Sequence, residues 1–170
     1  QWVEGVDCHN NGRCYGTSIA VDSAGYAYVT GSFTRDVYVD GSRLAWAGVE
    51  DIFVAKIDTW GGWQWATMAG GAQGYDRAYS IAVGPNGNAY LTGEVEFTST
   101  FGNNSITANG GSDIFIAKIS QQGDWLWSGS AGGSSISWGN SIVVGSQGEV
   151  YICGVFYTGI SFGNISYSIG

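Results

Sequence analysis

The sequence predicts an all-β protein, a β-propeller with blades of four antiparallel strands arranged as a partial ring of about two and three-quarter blades. Three observations predict it: an internal repeat, apolar segments punctuated by glycine-containing turns, and strands that are apolar on both faces. The repeat is plainest at Asp51-Ile52-Phe53-Val54-Ala55-Lys56-Ile57, which returns 62 residues later as Asp113-Ile114-Phe115-Ile116-Ala117-Lys118-Ile119. The same spacing carries Ser18-Ile19-Ala20-Val21 to Ser80-Ile81-Ala82-Val83 and Trp63/Trp65 to Trp125/Trp127. A third copy starts with Ser141-Ile142-Val143-Val144, 61 residues after its counterpart. A residue that recurs in each copy is expected to be structural, and one that breaks the repeat is a candidate for function.

Within a unit, Ser80–Val83 leads through the turn Gly84-Pro85-Asn86-Gly87 into Ala89-Tyr90-Leu91-Thr92-Gly93, a strand, a turn and a strand. The other copies turn at Asp22-Ser23-Ala24-Gly25 and Gly145-Ser146-Gln147-Gly148. A longer excursion follows, with its own turn at Asp40-Gly41 or Gly102-Asn103-Asn104, before the Asp-Ile-Phe strand. A last strand opens Trp63-Gln64-Trp65 or Trp125-Leu126-Trp127. Each unit thus offers four main strands in antiparallel sequence. Ile52 and Val54 point one way and Phe53, Ala55 and Ile57 the other, so both faces of the sheet need cover. Radial stacking of the sheets supplies that cover, with Ala20, Ala82 and glycines on inner strands and the paired tryptophans at the rim. The whole chain, 1–170, reads as one partial propeller with units of approximately 2–64, 65–126 and 127–170, the last incomplete.

Six basic against fourteen acidic residues, a net charge of −8, leave no basic stripe able to neutralise phosphates, which argues against nucleic acid and anionic membranes as partners. No apolar run approaches the roughly 20 residues of a membrane-spanning helix. Gln1 does not open a secretion signal, so the chain is expected to be a mature or excised piece. Cys8 and Cys14 lie in a Gly/Asn-rich loop found in one copy only and are expected to form a disulfide, as in oxidising compartments. Cys153 stands where the other copies have Thr30 and Thr92 and is expected to be a small buried residue.

The series Asp-Ile-Phe-Val-Ala-Lys-Ile, Trp-x-Trp, Ala-Gly-Gly (Ala69-Gly70-Gly71, Ala131-Gly132-Gly133), Ser-Ile-Ala-Val, Asn-Gly-Asn and Tyr-Leu-Thr-Gly resembles the bacterial β-propeller repeat family often labelled SBBP. The resemblance covers essentially the whole chain. It implies the fold and a secreted or cell-surface location, and carries no common chemistry. Residues 2–8 depart from the Ala-Gly-Gly pattern, and Trp138 stands where the second copy has Arg77. The chain is expected to open on a rim strand around Trp2 and to end within its third unit. Closed propellers need about four blades or more, so the expected partners are other segments of the same polypeptide or neighbouring subunits that complete the ring.

No catalytic set, cofactor or metal site is expected. Asp7, Cys8, His9 and Cys14 are too bunched for a zinc knuckle, and with one histidine no Ser/His/Asp device assembles. Asp51 and Asp113 are repeat-equivalent and read as caps of the preceding turn. Glu94 and Glu96 replace Ser32 and Thr34 and could do acid chemistry, although a solvated strand end is the expectation. Trp63, Trp65, Trp125 and Trp127 are expected in the core. Trp46, Trp60 and Trp138 align with Ala108, Gln122 and Arg77, and this departure makes them the candidate ligand or interface aromatics. Asn103 and Asn164 match the N-glycosylation pattern.

These readings converge on a non-catalytic extracellular or cell-surface propeller that acts as a scaffold or protein-interaction module. A carbohydrate-binding propeller, a subunit of an extracellular polymer and a polysaccharide-degrading domain are the alternatives.

Overall fold

A computed structural model describes residues 3–8 and 11–168, and these are all-β with no helix. The first four-stranded sheet has the order β2 (Cys14–Val21), β3 (Ala27–Phe33), β6 (Asp51–Ile57), β7 (Trp63–Ala69). The second repeats it with β8 (Arg77–Val83), β9 (Ala89–Val95), β12 (Asp113–Ile119) and β13 (Trp125–Ala131). Every neighbouring pair is antiparallel. The third unit contributes β14 (Ser137–Val144) paired with β15 (Val150–Phe156). The excursions fold as hairpins: β4 (Val37–Val39) with β5 (Ser42–Leu44), β10 (Thr98–Phe101) with β11 (Asn104–Thr107), and β16 (Gly159–Phe162) with β17 (Ile165–Ser168).

The expected turns are present, and glycine explains them. Gly25, Gly87 and Gly148 have φ of 89°, 75° and 95°, conformations that L-residues with a Cβ rarely adopt. Asp22 Oδ1 accepts the amides of Ala24 and Tyr26 and so closes the first of these turns.

Trp2 lies outside the described residues, and residues 3–6 form no strand. The chain enters regular structure at β1 (Asp7–Cys8), which pairs with β4. The bridges Gly70↔Thr100 and Gly132↔Ser161 recur at the corresponding places, so each excursion hairpin docks on the segment that leaves the preceding blade. The Cys8–Cys14 disulfide ties that entering segment to the first inner strand.

The second sheet is packed against a blade on each face, as its two apolar faces require. Ile52 and Val54 join Ile81, Leu91, Phe101 and Phe115 in the core between the first two blades. Phe53 points the other way, among Phe33, Val37, Val39 and Leu44. A smaller cluster of Tyr90, Ile116 and Ile142 lies between the second and third.

The repeated motifs acquire reasons. Thr30 and Thr92 donate their hydroxyls to the Phe53 and Phe115 carbonyls at 2.8 Å. A Cβ at Gly31 or Gly93 would strike the backbone carbonyl of Tyr15 or Arg77 on the inner strand, and beyond it the ring of Phe53 or Phe115, which is why glycine follows each threonine. Asp51 Oδ2 accepts the Ala47 amide at 2.6 Å and Asp113 Oδ2 that of Asn109 at 3.1 Å, the capping role read from the sequence. Their other oxygens are buried without a hydrogen-bond partner and lie against Gly70 and Gly132, where any Cβ would strike them. Asp-Ile-Phe and Ala-Gly-Gly are thus two halves of one packing device.

Two expectations need correction. The rim tryptophans are not core residues: Trp63, Trp65 and Trp125 are half-buried and Trp127 is exposed. Trp65 and Trp125 pack from outside against the core between the first two blades, and Trp63 against the other cluster, while two N–H groups reach across blades, Trp65 to the Gln121 carbonyl (2.8 Å) and Trp125 to that of Met68 (3.1 Å). Cys153 is exposed, whereas its counterparts Thr30 and Thr92 are fully buried. Those threonines are covered by a third strand and a following blade, and among the described residues β15 has neither beside it.

Candidate functional site

Blades join through a repeated set of contacts. Strand β8 packs on β2 and β3, and β14 on β8 and β9. Ser18 Oγ accepts the Ile81 amide (3.3 Å), and Ser80 Oγ accepts that of Ile142 (3.2 Å). The segment before each third strand also runs parallel to the segment before the next blade's first strand, through Glu50↔Tyr75 and Ser112↔Ile136. Asp76 N donates to Glu50 O and Ser137 N to Ser112 O, both at 2.8 Å.

The joint between the first two blades opens into a groove of about 760 Å³, within the roughly 300–1,000 Å³ of small-molecule sites. Each inner strand carries an extra residue at its β-bulge, Thr17 on β2 and Tyr79 on β8. Bulges re-aim side chains and recur beside sites, and both residues line the groove. Thr17 Oγ1 donates across the joint to the Ala78 carbonyl at 2.7 Å. Arg77 organises the floor. Its Nε and Nη2 both reach Glu50 Oε2 at 2.9 Å, and Nη1 reaches Glu94 Oε1 at 3.1 Å. Glu50 comes from the first blade and Glu94 from the second, so one guanidinium bridges the two. Ser32 donates to the other oxygen of Glu50, and Tyr79 donates to Glu94 at 2.6 Å. The Arg77 guanidinium lies 4.3 Å over the Tyr75 ring.

Burial disfavours charge on Arg77, but its bonds to Glu50 and Glu94 more than offset this and hold it above its ordinary pKa. Burial and then the bond to Glu94 raise the Tyr79 phenol, which stays a neutral donor. Behind this floor, burial raises the pKa of Asp76 to about 7, against the opposing hydrogen bonds from Ser99 and the Gly71 amide. Asp51, also pushed up by burial, adds a like charge to its surroundings.

The candidate aromatics do not converge. Trp46 lies in the loop before β6 with Arg35 stacked on it at 5.6 Å. Trp60 sits at the opposite end, in the β6–β7 turn, and is 87% exposed. Its counterpart Gln122 lies in the turn that receives Trp65 of the preceding blade, so Trp60 faces the side where a preceding blade would stand. Trp138, at the Arg77 position of the third unit, is half-buried with its ring 5.8 Å from Tyr157. Asn103 and Asn164 are exposed at the tips of the β10–β11 and β16–β17 hairpins. His9 lies outside the described residues.

Glu94 is not a solvated strand end. Its side chain is largely buried and bound to Arg77 and Tyr79, because β8 carries both beside it. Sequence reading missed the cluster as a cluster, along with Tyr15, Tyr75 and Tyr79. The usable signal was that Glu50, Arg77 and Glu94 break the repeat together and with opposite charges.

Residues exposed on the two flanks are buried at the same repeat positions inside. Ile19 is 64% exposed and Ile81 5%; Tyr151 is 61% exposed and Tyr90 6%.

Two segments, residues 9–32 and 64–94, match the family model described as SBBP, beta-propeller repeat. No curated protein matches the chain. Both matched segments include strands of the blades described above, so within these two segments the sequence match and the strand pattern agree on a β-propeller repeat.

Proposed function

We propose that this chain, a carrier of SBBP-type β-propeller repeats, is a non-catalytic, extracellular or cell-surface interaction module whose two open flanks mate with further blades of the same kind. The observation that carries the reading is the contrast between flank and interior at equivalent positions. A large apolar side chain left in water forgoes about 1.5–3 kcal/mol of burial, and such side chains gather on the first inner strand and on the third unit. The flanks are also complementary: Ile19 N–H stands where Ile81 N–H meets Ser18, and Ser141 Oγ stands where Ser80 Oγ meets Ile142.

The Cys8–Cys14 disulfide and the exposed sequons Asn103 and Asn164 support an oxidising, extracellular setting. A scaffold role is supported by the repeated joints. A glycosidase reading that uses Glu94 is weakened by Arg77 and Tyr79, which already hold that carboxylate.

In analytical ultracentrifugation the chain is expected to self-associate with rising concentration, one flank docking on the other. Ile19→Asp and Tyr151→Asp are expected to abolish association while leaving Tm near that of the parent. A chain that stays monomeric throughout the accessible range would end this reading.

A further inference from the structure

The groove between the first two blades has a composition that neither the fold nor flank pairing requires. We infer that it is a binding site for a short oligosaccharide bearing a single carboxylated sugar, with Arg13 receiving the carboxylate and Tyr15 and Tyr75 flanking the ring.

The floor is a fixed array of donors and acceptors. Arg77 is held from both sides by Glu50 and Glu94, and Tyr79 and Ser32 lock those carboxylates in turn. A pyranose presents hydroxyls that both donate and accept, and a pre-organised mixed network meets them without the entropy cost of ordering long side chains. Tyr15 and Tyr75 line the rim and are exposed. One face of Tyr75 is taken by Arg77, and the remaining aromatic surface suits the apolar C–H face of a sugar.

Charge selects the kind of sugar. Glu50 and Glu94 share the one cation of Arg77, so the floor keeps one negative charge in excess and turns a ligand carboxylate towards the rim, where Arg13 bonds within the protein through its backbone amide to Thr34. Among the described residues its guanidinium has no ion pair, and it stands in a chain of net charge −8. An arginine fork receives a carboxylate with two parallel hydrogen bonds. The overall negative charge repels a polyanion, so one carboxylate per ligand fits better than a run of them.

The repeat provides an internal control. At the joint between the second and third blades, Glu50, Arg77, Tyr79 and Glu94 are replaced by Ser112, Trp138, Asn140 and Val155, and Arg13 by Tyr75. That joint still forms, through Ser112↔Ile136 and the Ser80–Ile142 bond. Blade packing therefore does not demand the charged set.

The inference assumes a module that binds without turnover, and the test separates the two. The full chain is screened on an array of glycans that each bear one uronate or sialate, printed beside their methyl esters. The strongest glycan is then titrated calorimetrically with parent, Arg13→Ala, Arg13→Lys and Tyr15→Ala proteins, all checked for an unchanged Tm. The free acid is expected to bind, with affinity reduced about ten-fold or more by Arg13→Ala, by Tyr15→Ala or by esterification, and partly restored in Arg13→Lys. Absence of binding to every acidic glycan, equal binding of acid and ester, or indifference to Arg13→Ala would overturn the site. So would equally strong competition by a short glutamate peptide, which would make the groove a reader of acidic chains. Chromatography of the glycan after incubation reads turnover by itself: shortened product would overturn the non-catalytic reading and leave the binding site standing.

Discussion

The second blade and the third unit are built from the same sequence pattern, yet one is buried and the other is not. Phe101 is fully buried between Phe115, at 5.2 Å, and Trp125, at 5.1 Å. Phe162, at the same repeat position, is 50% exposed. Thr92 and Cys153 differ in the same way. The repeat sequence specifies the strand and its turn, but burial is specified by the neighbour, as expected of units that cannot cover their own apolar faces.

The largest expected effect tests this directly. Phe101→Ala removes a ring packed on all sides and should cost about 3–5 kcal/mol, lowering Tm by roughly 10 °C. Phe162→Ala should cost less than about 1 kcal/mol in the isolated chain. Thermal denaturation of the two variants checks it; equal losses would mean that the third unit is packed as tightly as the second.

A somewhat smaller effect is expected at the charged joint. Arg77→Leu leaves Glu50 buried without its cation and should cost about 2–3 kcal/mol, below the range for fully buried pairs because Arg77 is partly exposed. The triple replacement Glu50→Ser, Arg77→Trp, Glu94→Val installs the residues of the second joint and is expected to recover most of that loss in urea denaturation. Failure to recover would show that the two joints are not interchangeable.

At the first joint Asp76 adds a pH dependence that its counterpart at the second, Ser137, cannot supply. With its folded pKa raised to about 7, Asp76 keeps its proton over a range in which the unfolded chain has lost it. The folded state then binds more protons, so stability falls as pH rises from about 4 to about 7. Asp51 and Asp113, also raised by burial, act in the same direction. Tm is expected to drop by a few degrees between pH 5 and pH 8, with a smaller drop in Asp76→Asn. A parent Tm that rises over this range would contradict the assignment.

The fold was legible because periodicity, turn glycines and two-faced strands are local signals repeated along the chain. Asp51 with Gly70, or Thr92 with Gly93 and Phe115, could be read as recurring even before the collision that links them was visible. The charged cluster was harder to read. Glu50, Arg77 and Glu94 each stood out against their counterparts, but their meeting depends on how one blade's inner strand lies against the previous blade, through the Glu50↔Tyr75 bridge. Trp60 showed the opposite difficulty: its conspicuous exposure reflects an open flank as much as any ligand. Tyr15 and Tyr75 passed unremarked because single tyrosines in strands are ordinary.

The smallest expected effect isolates the neighbour's contribution most cleanly, because it concerns one hydroxyl at two equivalent positions. Ser80 Oγ accepts the Ile142 amide across a formed joint, so Ser80→Ala removes an interblade hydrogen bond and should cost about 1 kcal/mol. Ser141 holds the same place on the open flank, and Ser141→Ala should be neutral in dilute solution. If the flank docks on Ile19 of another copy, Ser141→Ala should gain a cost as protein concentration rises, measurable as a weaker association constant with no change in the monomer's Tm. The Ser80 variant should show the reverse, a lower Tm that does not depend on concentration, because its partner is already in place.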